Sequence, residues 1–220
     1  MIPKSEREKI IALIKKEVVP AIGCTEPIAV ALCVAKATET LNCRPEKISV
    51  LLSANILKNA MGVGIPGTGM IGLPIAIALG SIVGKSEYQL EVLKDSTPED
   101  VEEGKRMIES QAIEIGLKYG IEEKLYIEVK CSAGNDTTTA IISGGHTHFV
   151  YLSRNEDVLL NENSCQSNES ENEELDLNLK KVFDFATTSP IEEISFILES
   201  KRLNKEAAER SLKGSYGHEL

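Results

Sequence analysis

The sequence has no tryptophan, few aromatic residues of any kind and too little positive charge to balance its acids. Aromatic residues make up 4% of the 220 residues, and the formal net charge is −10. The core must therefore be aliphatic, which the 42% content of hydrophobic residues allows. A chain of this charge repels a phosphate backbone, so nucleic-acid binding is disfavoured. The sequence contains no basic amphipathic helix of the kind that binds a membrane surface.

The sequence also has no CxxC pair, and its charged N-terminal residues are not those expected of a signal peptide. Its five cysteines are Cys24, Cys33, Cys43, Cys131 and Cys165. An odd number of thiols without a leader predicts a reducing, cytoplasmic compartment, with thiols that are free or bound to metal. The uncharged stretch 59–84 is too rich in Gly and Pro in its first half to span a membrane. We predict a buried core helix for its second half.

The hydrophobic pattern predicts an α/β (α+β) fold, with helices around a small, mostly antiparallel sheet. Thr25 is expected to cap a buried helix that runs to about Leu41. Residues 47–53 alternate as in a strand. Residues 97–120 carry the start and stop signals of one long helix, and residues 123–160 indicate an antiparallel meander of about three strands.

Composition divides the chain into three segments. Residues 1–160 form the predicted main body. Residues 161–178 contain six acids and no base, which predicts a flexible acidic linker. Residues 179–220 are expected to be helical, with one helix starting at Ser189-Pro190 and another at Asn204.

The first candidate site is Cys24 in "PAIGCTEPIAV". A thiol at a helix N-terminus faces unpaired backbone N–H groups and the positive end of the helix dipole, and both stabilise the thiolate. The alternative is a small apolar residue packed where the helix begins. The polar, tight surroundings of Gly23, Thr25, Glu26 and Pro27 favour a functional thiol.

The second candidate is the glycine-rich loop "NILKNAMGVGIPGTGMIGLP", residues 55–74. Its glycines allow close approach of backbone to a ligand. Thr68 stands shortly before an apolar helix, whose N–H groups suit a carboxylate or phosphate. The loop fits neither the dinucleotide-binding nor the Walker pattern. The loop therefore predicts a binding site for a small anion. The alternative is an irregular connection that needs glycine for its turns.

The third candidate is "SGGHTHF". A strand beginning at His146 would point His146 and His148 to one face, where they could bind a metal. A surface or hydrogen-bonded histidine is the alternative, and the sequence favours it. Cys33, Cys43 and Cys131 are interpreted as core or loop residues, as is Cys165 in the acidic segment.

Three motifs together resemble a known family: "PAIGCTEPIAVAL", "NILKNAMGVGIPGTGMIGLPIA" and "ISGGHTHFV". The family is that of L-cysteine desulfidase and the α part of iron–sulfur L-serine dehydratase. The resemblance implies an oxygen-sensitive [4Fe–4S] cluster held by three cysteines, with Cys24 as one metal ligand and one iron open to the substrate. It implies loss of the α-proton and of the β-group, giving pyruvate, ammonia and sulfide or water.

The same motifs contain candidate residues for this reaction. The expected substrate-binding residues are Thr25, Glu26, Gly67, Thr68 and Gly69. The candidate general bases are Lys58 and His146, between which the sequence does not choose. Together these assignments describe an enzyme that degrades a small amino acid.

Members of that family are nearly twice as long, and their other cluster cysteines lie in a C-terminal half with no counterpart here. The remaining cluster ligands are therefore expected outside this chain. The expected partners are an amino-acid substrate and a C-terminal half or partner subunit, within a homo- or hetero-oligomer. The alternatives are a non-catalytic remnant that binds a small anion or amino acid, and a zinc or iron hydrolase using His146 and His148.

Overall fold

A computed structural model describes residues 2–162 and 177–214 of the chain. The described helices are α1 (Lys4–Glu17), α2 (Thr25–Leu41), α3 (Ala54–Ala60), α4 (Leu73–Ile82), α5 (Pro98–Glu109), α6 (Leu179–Thr188), α7 (Ile191–Ile194) and α8 (Leu198–Lys213). The strands are β1 (Lys47–Leu52), β2 (Gly64–Ile65), β3 (Met70–Ile71), β4 (Ile113–Leu117), β5 (Tyr126–Ala133), β6 (Asp136–Ser143), β7 (Phe149–Arg154) and β8 (Asp157–Asn161). Short 3-10 turns cover Ser86–Glu91 and Ser195–Ile197. The predicted α/β class with C-terminal helices is confirmed.

Six strands form one mixed sheet in the order β4-β1-β5-β6-β7-β8. Only the β1–β4 pair is parallel, and the other neighbouring strands run antiparallel. The predicted strand at residues 47–53 is β1. The predicted meander exists but has four strands rather than about three, because β8 adds to the edge of β7. β2 and β3 pair separately as a two-stranded hairpin.

The long helix predicted for residues 97–120 is wrong in its second half. Thr97 caps α5 as expected, since its hydroxyl accepts from the N–H of Asp100. The helix ends at Glu109, and Gln111 then adopts φ +58°, which breaks the helical path. The following residues alternate in hydrophobicity and form β4, which is stabilised by parallel pairing with the distant β1.

The core lies on one face of the sheet, where α2 packs against β5 and β6 and α4 packs against α2 and α5. All eight residues of Ile28–Ala35 in α2 are completely buried, as the sequence predicted. A Cβ atom at Gly80 of α4 would stand only 2.6 Å from the Ala31 carbonyl oxygen, so glycine is what allows the two helices to approach. Across the described ranges, no helix is both long and apolar enough to cross a membrane.

Contacts divide the described residues into two compact units. One begins at Ala21, runs to residue 162 and contains the whole sheet. The other combines the residues up to Pro20 with the helices from residue 177 onward. This grouping differs from the predicted main body 1–160, because α1 packs with the C-terminal helices. Most of the predicted linker, residues 163–176, and the end of the helical segment, residues 215–220, lie outside the described residues.

Candidate functional site

Cys24 itself is the N-cap of α2, so the prediction that Thr25 caps this helix is wrong. The Cys24 backbone is extended, with φ −69° and ψ 135°, and Thr25 is the first helical residue. The Cys24 side chain makes no capping hydrogen bond to the helix. The half-buried thiol is therefore free to interact with side chains of the first helical turn.

The Cys24 thiol contacts the Glu26 carboxylate directly. Its Sγ donates to Oε2 of Glu26 at 2.9 Å, and the Thr25 hydroxyl donates to the same oxygen at 3.3 Å. The Asn59 side-chain amide on α3 donates to the other carboxylate oxygen at 3.3 Å. Glu26 is thus the centre of a polar cluster, which we call the Cys24 corner: Cys24, Thr25, Glu26 and Asn59.

The electrostatics of the corner overturn the expectation of a stabilised thiolate. Burial and the hydrogen bond to Glu26 raise the pKa of the Cys24 thiol, and the neighbouring carboxylate charge acts in the same direction. The backbone N–H groups of Thr25 and Glu26 lower that pKa, as a helix N-terminus should, but their effect is outweighed. The hydrogen bond from Cys24 lowers the pKa of Glu26. The proton of the pair therefore resides on sulfur.

The glycine-rich loop contacts the residue that precedes Cys24. Gly23 has φ +81°, and a Cβ atom there would stand 2.9 Å from Cγ and 3.1 Å from Cδ of Pro66. Only glycine combines that backbone conformation with such a close approach. Pro66 lies in the turn between β2 and β3. The first two sequence motifs, which are about 40 residues apart in the chain, therefore meet in space.

The predicted substrate-binding residues of the loop lie in the turn of this hairpin and not at the start of a helix. Gly67 and Gly69 are exposed. The Thr68 hydroxyl donates to the Ile65 carbonyl oxygen at 2.7 Å and accepts from the Met70 N–H at 3.0 Å, which closes the turn. Helix α4 is capped by Gly72 instead. Thr68 does stand shortly before the apolar helix, five residues ahead of its first residue Leu73, but it is not at the N-terminus of α4.

The two candidate bases, His146 and Lys58, differ in burial and location. His146 is half-buried in the turn before β7, and its charge, when it is protonated, contributes to the lowered pKa of Glu26. Lys58 is exposed on α3, next in sequence to Asn59.

The proposed pairing of His146 with His148 on a strand is not formed. β7 begins only at Phe149, so both histidines lie in the preceding turn. The His148 ring contacts the Ser143 carbonyl oxygen through Nδ1 and Glu162 through Nε2, each at 2.9 Å. Within the described ranges, no group of three His, Cys, Asp or Glu side chains is placed to hold a metal ion.

The other described cysteines lie too far along the fold to join Cys24 around one cofactor. Cys33 is nine positions further along α2, about 13 Å along the axis at roughly 1.5 Å per residue. Its buried thiol donates to the Ala140 carbonyl oxygen, and burial raises its pKa well above the ordinary value. Burial likewise raises the pKa of Cys131 to about 12. Cys43 lies beyond the opposite end of α2, and Cys165 is outside the described residues.

An iron–sulfur cluster needs several thiolates at one point. The described residues supply a single thiol at the Cys24 corner, so they do not fit a [4Fe–4S] cluster by themselves.

Sequence analysis missed Asn59 and Pro66. Residues 55–60 belong to the predicted glycine-rich loop 55–74, yet they lie in α3, whose N-cap Ser53 accepts from the Ile56 N–H. Ser53 followed by apolar Ile56 and Ala60 at helical spacing was the available signal. Pro66 carried no signal, because its role depends on a contact with a distant glycine.

These features define an α/β chain in which a thiol–carboxylate corner meets a glycine-rich hairpin. The chain is 72% identical over 220 residues to a UPF0597 protein of Phocaeicola vulgatus, a match that covers 100% of this chain and 51% of that protein. It is 69% identical over 217 residues to one of Bacteroides fragilis and 51% identical over 221 residues to one of Porphyromonas gingivalis, with 99% and 97% of the chain and 51% of each relative covered. The chain spans about half the length of the curated relatives it matches.

No family model matches the chain. No solved structure matches it either. The names of the relatives state no activity, so a function has to be argued from the site.

Proposed function

We propose that this chain forms half of an iron–sulfur-dependent lyase that cleaves L-cysteine or L-serine to pyruvate and ammonia, with release of sulfide or water. The observation that carries the proposal is the contact of Gly23 with Pro66. It brings the cysteine motif and the glycine-rich motif of the resembled family to one place. In such an enzyme Cys24 would be one ligand of the cofactor.

The remaining ligands would come from polypeptide outside this chain. The Phocaeicola vulgatus relative, whose match covers 100% of this chain, contains about as many residues again. The proposed cofactor, a [4Fe–4S] cluster, therefore requires that second half or a partner subunit. The proposed compartment is the reducing cytoplasm, where free thiols persist.

The residues of the corner have defined tasks in this proposal. Cys24 would hold metal as a thiolate, so its thiol proton and the 2.9 Å hydrogen bond to Glu26 would both be lost. Asn59 holds the Glu26 carboxylate in place through its other oxygen. Lys58 and His146 both remain candidates for the base that removes the α-proton, and the electrostatic influence of His146 on Glu26 favours the histidine.

A second candidate is a binding protein that keeps the fold without the chemistry. The raised pKa of Cys24 favours it, because a protonated thiol neither binds metal nor attacks carbon readily. The small anion or amino acid would then be held near the glycine-rich hairpin.

An anaerobic assay distinguishes the lyase from the binding protein. The chain is co-expressed with the part of the Phocaeicola vulgatus relative that lies outside the match, reconstituted with iron and sulfide, and offered L-cysteine or L-serine. Pyruvate formation supports the lyase, and binding of the amino acid without pyruvate supports the alternative. The chain alone is expected to retain less than one four-iron cluster per molecule by iron counting.

A further inference from the structure

The sheet-containing unit has a second concave site, formed between the connection from α2 to β1 and the C-terminal part of α5. Its volume is about 340 Å³, which falls within the range of about 300–1,000 Å³ typical of small-molecule sites. Both walls belong to the same compact unit, so the cleft is a feature of that unit alone. We call it the α5 cleft and define it by six of its lining residues: Arg44, Pro45, Glu46, Glu103, Arg106 and Met107.

The two walls of the α5 cleft are joined to each other and to the sheet. The Arg44 guanidinium on one wall forms an ion pair with the Glu103 carboxylate on the other. Below them, the Ile48 N–H of β1 donates to the Ala112 carbonyl oxygen at 2.8 Å. The cleft is therefore preformed, and little ordering of the protein is needed when a ligand binds.

The charges that line the α5 cleft are balanced but not all paired. Its two guanidinium groups and two carboxylates sum to a formal charge of zero, and Arg44 and Glu103 neutralise each other. Among the described residues, the Arg106 guanidinium has no hydrogen-bond or ion-pair partner. Glu46 accepts from the Gly134 N–H at 3.2 Å through Oε2, and its Oε1 has no partner within the same ranges. One cation and one carboxylate oxygen thus remain for a ligand.

Apolar side chains complete the lining. Pro45 is buried and Met107 is 8% exposed, and both contact the cleft. Ala112, which is half-buried, lies beside them. These side chains suit an aliphatic portion of a ligand, because its burial against them removes apolar surface from water.

The balance of charge distinguishes between classes of ligand. A simple anion would be attracted by Arg106 and repelled by Glu46, and a simple cation would meet the reverse. A zwitterion gains from both groups, since a guanidinium binds a carboxylate and a carboxylate binds an ammonium group. We infer that the α5 cleft binds a small aliphatic zwitterion of the class of a free α-amino acid, with its carboxylate on Arg106 and its ammonium group on Glu46.

A structural role for Arg106 does not account for the whole arrangement. Arg106 lies in the last turn of α5, where a cation stabilises the negative end of the helix dipole. That role explains the arginine, but it explains neither the cleft nor the unpaired oxygen of Glu46.

The α5 cleft is separate from the Cys24 corner. Helix α2 has 17 residues, about 25 Å at roughly 1.5 Å per residue, and Cys24 caps its N-terminus. The cleft begins at Arg44, just beyond the other end of that helix. The inference therefore goes beyond the proposed function and does not depend on it, because binding in the cleft requires neither Cys24 nor a cofactor.

The test is isothermal titration calorimetry of the full chain with L-leucine and two analogues. L-leucine has no leaving group on its β-carbon, so it is not a substrate of the proposed lyase. The analogue 4-methylpentanoate lacks the ammonium group, and 3-methylbutylamine lacks the carboxylate. The cleft variants are Arg106→Gln and Glu46→Gln.

The matched control is the double variant Arg154→Gln with Glu156→Gln. It removes one guanidinium and one carboxylate from the hairpin of β7 and β8, in the same unit but outside the lining of the cleft. Circular dichroism confirms that all variants are folded before binding is measured.

We expect the unaltered chain and the control to bind one L-leucine and to bind either analogue at least about tenfold more weakly. Each cleft variant should bind L-leucine at least about tenfold more weakly than the unaltered chain does. Arg106→Gln should also bring the affinities for L-leucine and 3-methylbutylamine together, because the ligand carboxylate has then lost its partner. No binding of L-leucine by the unaltered chain, analogues that bind as tightly, or unchanged affinity in both cleft variants would each overturn the inference.

Discussion

The contact of Gly23 with Pro66 is the basis for a shared site, and replacing Gly23 by alanine tests it energetically. Two effects add in Gly23→Ala. An alanine at φ +81° costs about 1–2 kcal/mol of backbone strain. The new Cβ atom at 2.9 Å from Pro66 Cγ must displace the proline ring, and overpacking of this kind costs about 1 kcal/mol where the neighbour is exposed and can move.

The matched control is Gly67→Ala in the same hairpin turn. Gly67 has φ +78°, but nothing lies within 4 Å of its Cβ position, so it carries the backbone cost alone. We expect a loss of about 1.5–2.5 kcal/mol in the free energy of unfolding for Gly23→Ala and about 0.5–1.5 kcal/mol for Gly67→Ala, after about 0.5 kcal/mol is regained from the unfolded chain in each.

Pro66→Ala completes the experiment as a double-mutant cycle. With the proline ring removed, Gly23→Ala should cost about 1 kcal/mol less than it does in the unaltered chain. The assay is urea unfolding followed by far-UV circular dichroism, because the chain has no tryptophan. Equal losses for Gly23→Ala and Gly67→Ala, together with no coupling to Pro66, would show that the two motifs do not touch.

The remaining predictions concern Glu26, Cys33 and Gly80. Glu26→Gln should lower the pKa of Cys24 and speed its alkylation by iodoacetamide at neutral pH, with Glu46→Gln as a control; slower alkylation would contradict the assigned hydrogen bond. The pKa of Glu26 is lowered from its ordinary 4.5, so the contribution of its carboxylate to stability is present above that value and lost as pH falls below it. The free energies of unfolding of the unaltered chain and of Glu26→Gln should therefore converge in acid. Cys33→Ala should cost about 1 kcal/mol of stability without changing the alkylation rate of Cys24. Gly80→Ala should cost about 1–3 kcal/mol, because its Cβ atom would force α4 away from α2, and an unchanged urea midpoint would refute that packing.

The elements that sequence analysis predicted well are those with a strong local signal. The continuous apolar run of α2 and the alternation of β1 and β5 could be interpreted without knowledge of their neighbours. β4 could not, because residues 113–117 are also compatible with a helical face. Their strand conformation depends on pairing with β1, which is more than 60 residues away.

The candidate site likewise combines features with a local sequence signal and features that depend on tertiary contacts. The position of Cys24 where a helix begins was predictable from Gly23 and Pro27. The state of its thiol was not, because it depends on the orientation of the Glu26 side chain and on burial. Asn59 enters the site from α3, whose packing against α2 is a property of the tertiary structure. The grouping of α1 with the C-terminal helices likewise depends on long-range contacts such as that of Arg7 with Glu193.

The most direct test of the central claim is anaerobic pyruvate formation by the chain combined with its second half, measured for Cys24→Ala and Cys165→Ala. The substrates are L-cysteine and L-serine, and iron is counted in the same samples. If Cys24 is a ligand of the cofactor, Cys24→Ala abolishes both the bound iron and the pyruvate, while Cys165→Ala retains both. Full activity and iron content in Cys24→Ala would contradict the account and leave the Cys24 corner with a structural role alone.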